Sequence, residues 1–180
     1  HHTDYERSSL AKLTQKVHYA ITILNKKGEE HAELVVFYDK LSQIISIKGG
    51  IYGANGTNIK QFDKSDIKDE SAFASFTLYS DSRVKYISPI HNTYPYTVEY
   101  AYEIVYNGVV GIDTWAPIPS YGLSVQQAEL HYSTPADISV KYKAVNGDLK
   151  FAKYQEKNIN QYTWKTQHLT ADTNETLPSA

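Results

Sequence analysis

Histidine is the side chain that most often carries chemistry near neutral pH. This chain holds His18, His31, His91, His131 and His168 besides a leading His1–His2 pair. None stands in the i, i+4 pairing with a nearby glutamate that marks a helical zinc site. Glu129 and His131 alternate at strand spacing, which puts both on one face. A solvated pair explains them, because metal ligation needs three or four convergent donors and the sequence shows no such cluster. No metal and no cofactor is expected. Nucleophilic chemistry fares no better. There is no Cys, which removes thiol nucleophiles, disulfides and thiolate metal ligands together. No Gly-x-Ser-x-Gly elbow occurs, and Ser88-Pro89 and Ser120-Tyr121-Gly122 read as turns. The paired carboxylates Glu29-Glu30 and Asp69-Glu70 lie in polar stretches where solvated charge is the simpler account. Gly49-Gly50 and Gly53-Ala54-Asn55-Gly56 precede no helical pattern, so they do not suggest a phosphate loop. No residue is assigned a catalytic role.

Aromatic residues offer more. The chain has 16 Tyr, a residue that favours strands, buries a large ring and keeps a polar tip for water or a partner. Trp115, Tyr121, Tyr132 and Trp164 are the candidates for a contact with a neighbouring domain, or for a platform that stacks sugar rings or lines a peptide groove. The simpler account, and the one favoured here, is that they fill the core with a few Tyr left exposed. Asn55-Gly56-Thr57 and Asn174-Glu175-Thr176 fit the N-glycosylation acceptor pattern, and the first is better explained by its turn.

The elements that must position these residues are strands. Tyr94, Tyr96, Val98, Tyr100, Tyr102, Ile104 and Tyr106 alternate with Thr97, Glu99, Glu103 and Asn107. One aromatic and one mostly polar face follow from a period of two, not from 3.6. Val17 to Leu24 and Ala32 to Tyr38 flank Asn25-Lys26-Lys27-Gly28 as a hairpin. A further strand runs through Ile44 to Gly49, and Asn55-Gly56 predicts a type I′ hairpin turn. Strands are also predicted at Phe73 to Tyr79, Arg83 to Ile87, Val125 to Ser133, Ile138 to Ala144, Lys150 to Gln155 and Gln161 to Gln167. Helix signals are sparse: Ser8 to Gln15 with a serine cap, and one turn in Asp63 to Ser71. About ten short strands with turn signals between them predict an all-β, antiparallel two-sheet sandwich with at most one or two short helices.

Length favours a single domain with one substantial core. Residues 1–16 read as a tag remnant, His1–His2, and a lead-in; 17–171 form the sandwich; 172–180, polar and containing Pro178, read as a linker toward a further domain. Gly108 to Gly122, with Trp115, Pro117 and Pro119, reads as a crossover between sheets. The 18 basic and 20 acidic residues give a formal charge of −2, too near neutral to argue for a grip on nucleic acid. No run of about 18 apolar residues exists to span a membrane as a helix.

Three stretches then carry a resemblance. They are Val17 to Tyr38 around Ile23-Leu24-Asn25-Lys26-Lys27-Gly28, the block from Ser88-Pro89 through Tyr94-Pro95-Tyr96-Thr97-Val98-Glu99-Tyr100-Ala101-Tyr102, and Tyr162-Thr163-Trp164-Lys165 with Leu169 and Ala171 behind. In this order and spacing the chain, from Val17 to Ala171, resembles the uncharacterised domain that precedes a transglutaminase-like core in exported bacterial proteins. Where that family usually has a Gly before the strand, this chain has Thr93-Tyr94-Pro95. The resemblance implies a β-sandwich similar to the amino-terminal domain of zinc aminopeptidases, with no catalytic residues of its own. It also implies a periplasmic or cell-surface location and a partner in the downstream thiol domain of the same polypeptide.

Overall fold

The alternation that dominates the sequence becomes two sheets of unequal size. The computed structural model describes residues 1–72, 81–109, 111–112, 114–118, 120–145 and 149–171. Its strands are β1 (His2–Ser9), β2 (Lys12–Ile23), β3 (Leu34–Tyr38), β4 (Ser42–Gly53), β5 (Asn58–Gln61), β6 (Lys68–Ser71), β7 (Arg83–Ile87), β8 (Tyr96–Asn107), β9 (Val125–Pro135), β10 (Lys150–Glu156) and β11 (Ile159–Leu169). A 3-10 helix over Lys26–Ala32 separates β2 from β3. The large sheet has the order β10-β11-β9-β1-β2-β8-β4-β5, and the small one β3-β7-β6. This is the predicted two-sheet β-sandwich, with one departure from antiparallel pairing. β1 runs antiparallel to β2 and parallel to β9.

Register explains the core. Leu13 faces Tyr106, Val17 faces Tyr102, Tyr19 faces Tyr100 and Ile23 faces Tyr96 across β2 and β8, so the even positions of β8 and the odd positions of β2 share the inner face. Tyr96, Val98, Tyr100 and Ile104 are buried there with Ile23 and Ile51. The small sheet and the 3-10 helix close this half with Leu34, Val36, Ile87 and Ala32. The Tyr100 hydroxyl donates to the Ala32 carbonyl at 2.8 Å, which satisfies a polar tip that burial would otherwise strand. Gly49 admits the Tyr100 ring: a Cβ there would stand 2.4 Å from the Glu99 carbonyl and 2.7 Å from Tyr100 Cδ1. Phe62 stacks on the same ring at 5.6 Å. The small sheet is tied by Asp69, which accepts from Tyr38 at 2.8 Å and from Arg83 at 2.8 Å, so one carboxylate holds all three strands.

The other half of the inner face has a different cover. Leu13, Leu130, Tyr132, Tyr162 and Trp164 form a second cluster, with Tyr5, Trp115, Val140 and Leu149 packed against it. Trp115, Val140 and Leu149 come from chain outside the strands. One layer of the sandwich is therefore sheet throughout, and the other is sheet over one half and irregular chain over the remainder.

Several expectations change. Ser8 to Gln15 holds no helix; Ser8 and Ser9 end β1, and β2 begins at Lys12. The lead-in is thus a central strand. β2 and β3 form no hairpin: they belong to different sheets, joined by a 3-10 helix in which Asn25 Oδ1 accepts from the Lys27 amide at 3.0 Å. The Asn55-Gly56 hairpin joins β4 to β5, but four residues make the loop and of the pair only Gly56 has positive φ, at 79°. It is not the type I′ turn. Asp63 to Ser71 holds a turn and then β6. Ile138 to Ala144 forms no strand. The strand expected at Phe73 to Tyr79 and the 172–180 linker lie outside the described residues. The turn at Thr93-Tyr94-Pro95 contains a cis Tyr94–Pro95 bond.

Candidate functional site

The predicted aromatic group does not assemble as a single platform. Tyr132 and Trp164 are buried, at 6% and 8% exposure, facing inward from β9 and β11, whose register places Tyr132 opposite Tyr162 and Trp164 opposite Leu130. Tyr162 and Trp164 stack at 6.0 Å between ring centroids. The Tyr132 hydroxyl accepts from Arg7 Nε at 2.8 Å. Trp115 is half-buried against this cluster, and its indole nitrogen is buried without a hydrogen-bond partner. Tyr121 stands apart, 61% exposed, in a segment whose neighbours Ser120 and Gly122 lie against His31. Core filling accounts for Tyr132 and Trp164, as the favoured reading of the sequence has it.

Exposed aromatic surface lies nearby, at residues the sequence did not single out. Tyr142 and Phe151 are 52% and 42% exposed, and their rings meet at 4.9 Å. Both also touch the Trp164 ring, at 5.2 and 5.3 Å. Phe151 belongs to β10, the edge strand of the large sheet, every residue of which is exposed. A buried tryptophan thus supports a wet aromatic rim beside an edge whose outer backbone groups have no strand partner among the described residues. No alternation marks these positions as exposed. Only the edge placement of β10 does so.

A polar constellation occupies the opposite face of the same sheet. The parallel ladder sets His2 opposite Glu129 and Asp4 opposite His131, and β11 sets Lys165 opposite Glu129. His2 Nε2 lies 2.8 Å from Asp4 Oδ2, and His131 Nδ1 lies 3.6 Å from Asp4 Oδ1. His131 Nε2 is bonded to Glu129, and Lys165 Nζ reaches the same carboxylate at 2.5 Å. Burial raises the pKa of Glu129, but the hydrogen bonds from Lys165 and His131 outweigh it and leave the carboxyl below its ordinary range. Glu129 and His131 do share a face as the sequence predicts, and the ladder adds His2 and Asp4. Strand spacing within β9 reveals the first pair. Nothing local reveals the second, because β1 and β9 are far apart in sequence.

The serine of the Ser120-Tyr121-Gly122 turn has a histidine near it. Ser120 Oγ lies 3.3 Å from His31 Nδ1, and His31 Nε2 lies 3.7 Å from Glu30. Glu30 is 78% exposed, so it does not hold the imidazole in one orientation as a buried carboxylate does. The trio has the residue types of a nucleophilic triad without its rigidity.

A family model described as a domain of unknown function with a solved structure, DUF3857, matches residues 11–173. The chain belongs to the DUF3857 family. In this DUF3857 domain the matched span opens at the turn before β2, so β1 precedes it while standing in the middle of the large sheet. A crystal structure from Parabacteroides distasonis ATCC 8503, described as that of a "putative protease", is similar with a TM-score of 0.80 at 12% identity. The likeness covers 97% of this chain and 36% of that one. At that identity it shows the fold alone. No curated protein matches the chain.

Proposed function

We propose that this DUF3857 domain is a non-catalytic accessory module of a larger exported bacterial protein, where it positions or shields a downstream transglutaminase-like thiol domain. The observation that supports this most is one of proportion. The fold that fills 97% of this chain fills 36% of a longer protein described as a protease, so there the same unit is one part of a larger polypeptide. The sandwich also carries a surface suited to a neighbour: the exposed edge β10, with Tyr142 and Phe151 on a buried Trp164. Aromatic rings on a rigid support make contact area at low entropic cost.

The experiment compares the parent protein, the parent lacking this domain, and the 180-residue chain alone, on peptide and side-chain amide substrates. The chain alone is expected to be inert, and its removal to change kcat/KM or the stability of the remainder. Turnover by the isolated chain, or a remainder indifferent to its loss, would overturn the reading. The same aromatic rim favours a second reading, recognition of a glycan or an extended peptide along the β10 edge. Chemical-shift changes confined to Tyr142, Phe151 and Tyr154 on adding oligosaccharides or peptides would support it, and their absence would remove it.

A further inference from the structure

The polar constellation on the outer face has the composition and arrangement of a metal site. His2, Asp4 and His131 each offer one ligand atom, and these atoms lie within 4.8 Å of one another. Tetrahedral zinc with bonds of roughly 2.0–2.1 Å holds its ligand atoms roughly 3.3 Å apart. His2 Nε2 lies 2.8 Å from Asp4 Oδ2 and His131 Nδ1 lies 3.6 Å from Asp4 Oδ1, so the two imidazoles approach different oxygens of one carboxylate, each near that spacing. The same residues occur at strand spacing on β1 and in direct register on β9, so backbone pairing sets the arrangement.

Glu129 supplies the second, independent indication. A histidine that ligates metal almost always donates its other ring N–H to a carboxylate or carbonyl, which fixes its tautomer and aims its lone pair. His131 does this: Nε2 is bonded to Glu129, and Nδ1 faces Asp4. Glu129 is itself buried, at 9% exposure, and Lys165 holds it at 2.5 Å. A solvated surface pair needs no such support.

We propose that His2, Asp4 and His131 bind a divalent ion of borderline softness, zinc by preference, with Glu129 orienting His131 from behind. Two imidazoles and one carboxylate suit zinc better than magnesium or calcium, which take oxygen ligands. Three protein ligands leave one position open to water or to a group brought by a partner. His2 and Asp4 also line a shallow depression of about 220 Å³, together with Lys16, His18 and Lys48. Bound by its three ligands, the ion joins β1 to β9 across the parallel ladder.

The test titrates the 180-residue chain, with no histidines added before the leading His1–His2 pair, with zinc chloride by calorimetry at neutral pH. One-to-one binding at micromolar affinity or tighter is expected. Asp4→Asn and His131→Ala should each weaken it more than about tenfold, and Glu129→Gln about tenfold through the orientation of His131. His91→Ala, outside the cluster, should change nothing. Zinc should raise the thermal midpoint of the native chain and leave that of the His131→Ala chain unmoved. Asp4 is half exposed, so the Asp4→Asn chain keeps its fold and serves if His131→Ala does not. The proposal is overturned if no stoichiometric binding occurs. It is equally overturned if affinity survives both Asp4→Asn and His131→Ala and disappears only on replacing His1 and His2, which would identify a loose histidine pair as the binder.

Discussion

Glu129 shows how much one side chain can be asked to do. It is an acid placed on a strand, buried, and satisfied by a lysine from β11 and a histidine from its own strand. A carboxyl depressed in the folded chain contributes stability that is fully present above its unfolded value, near 4.5, and lost as the pH falls through the folded value. Glu129→Gln is therefore expected to lower stability by about 1.5–3 kcal/mol at neutral pH, the range for hydrogen bonds to a charged group. The gap between native and variant should close as the pH falls from near 4.5 through the lower folded value, because the native carboxyl is then protonated too. Urea denaturation across that range measures it. A gap that stays constant with pH would show that the charge is not what stabilises. The pairing of Glu129 with His131 is legible from their spacing alone. The roles of His2, Asp4 and Lys165 are not, since each arrives from a strand whose register no local pattern announces.

At the scale of elements, β4 and β8 show what a glycine makes room for. The Tyr100 ring lies across Gly49, and a Cβ at that position would meet the Glu99 carbonyl at 2.4 Å, a backbone group that cannot turn aside. Gly49→Val is expected to cost about 3 kcal/mol, at the upper end for overpacking a core, with a lower urea midpoint at unchanged m value. A variant as stable as the native chain would mean that the two strands separate more easily than their register implies. Alternation makes β8 legible because its two faces meet such different surroundings. In Ile138 to Ala144, Val140 packs against the second cluster, yet no neighbouring strand pairs there. Burial on one side sets the pattern; a ladder also needs a partner in register. Ser8 to Gln15 departs from expectation for another reason. Two serines that cap helices in general here end one strand before a tight return into the next.

For the molecule as a whole, the uneven cover of the large sheet decides what Trp115 does. It packs from irregular chain on the cluster of Leu13, Leu130, Tyr132, Tyr162 and Trp164, so part of the closing layer depends on it. Trp115→Ala is expected to destabilise the isolated chain by about 1–3 kcal/mol, less than the roughly 3–5 for a fully buried tryptophan. If Trp115 served only a neighbouring domain, the isolated chain would be unaffected and only the parent protein would lose stability; thermal unfolding of both proteins separates the two. The overall class and most strands are legible because a sandwich writes its two faces into every strand. The parallel pairing and the half-sheet closing layer are not, because both are set by contacts between segments distant in the chain.

That parallel pairing also has a consequence in time. β1 can form its hairpin with β2 as soon as both have been made, but its other partner, β9, follows on the order of a hundred residues later, or roughly 5–20 s at ordinary rates of synthesis. Until then the middle of the future large sheet is an open edge, able to pair with the wrong chain. The domain cannot finish folding piecemeal from its start; closure waits for the segment that carries Glu129 and His131 to arrive. Such a chain suits a route on which it is kept extended until all of it is present, and is a poor substrate for folding one hairpin at a time.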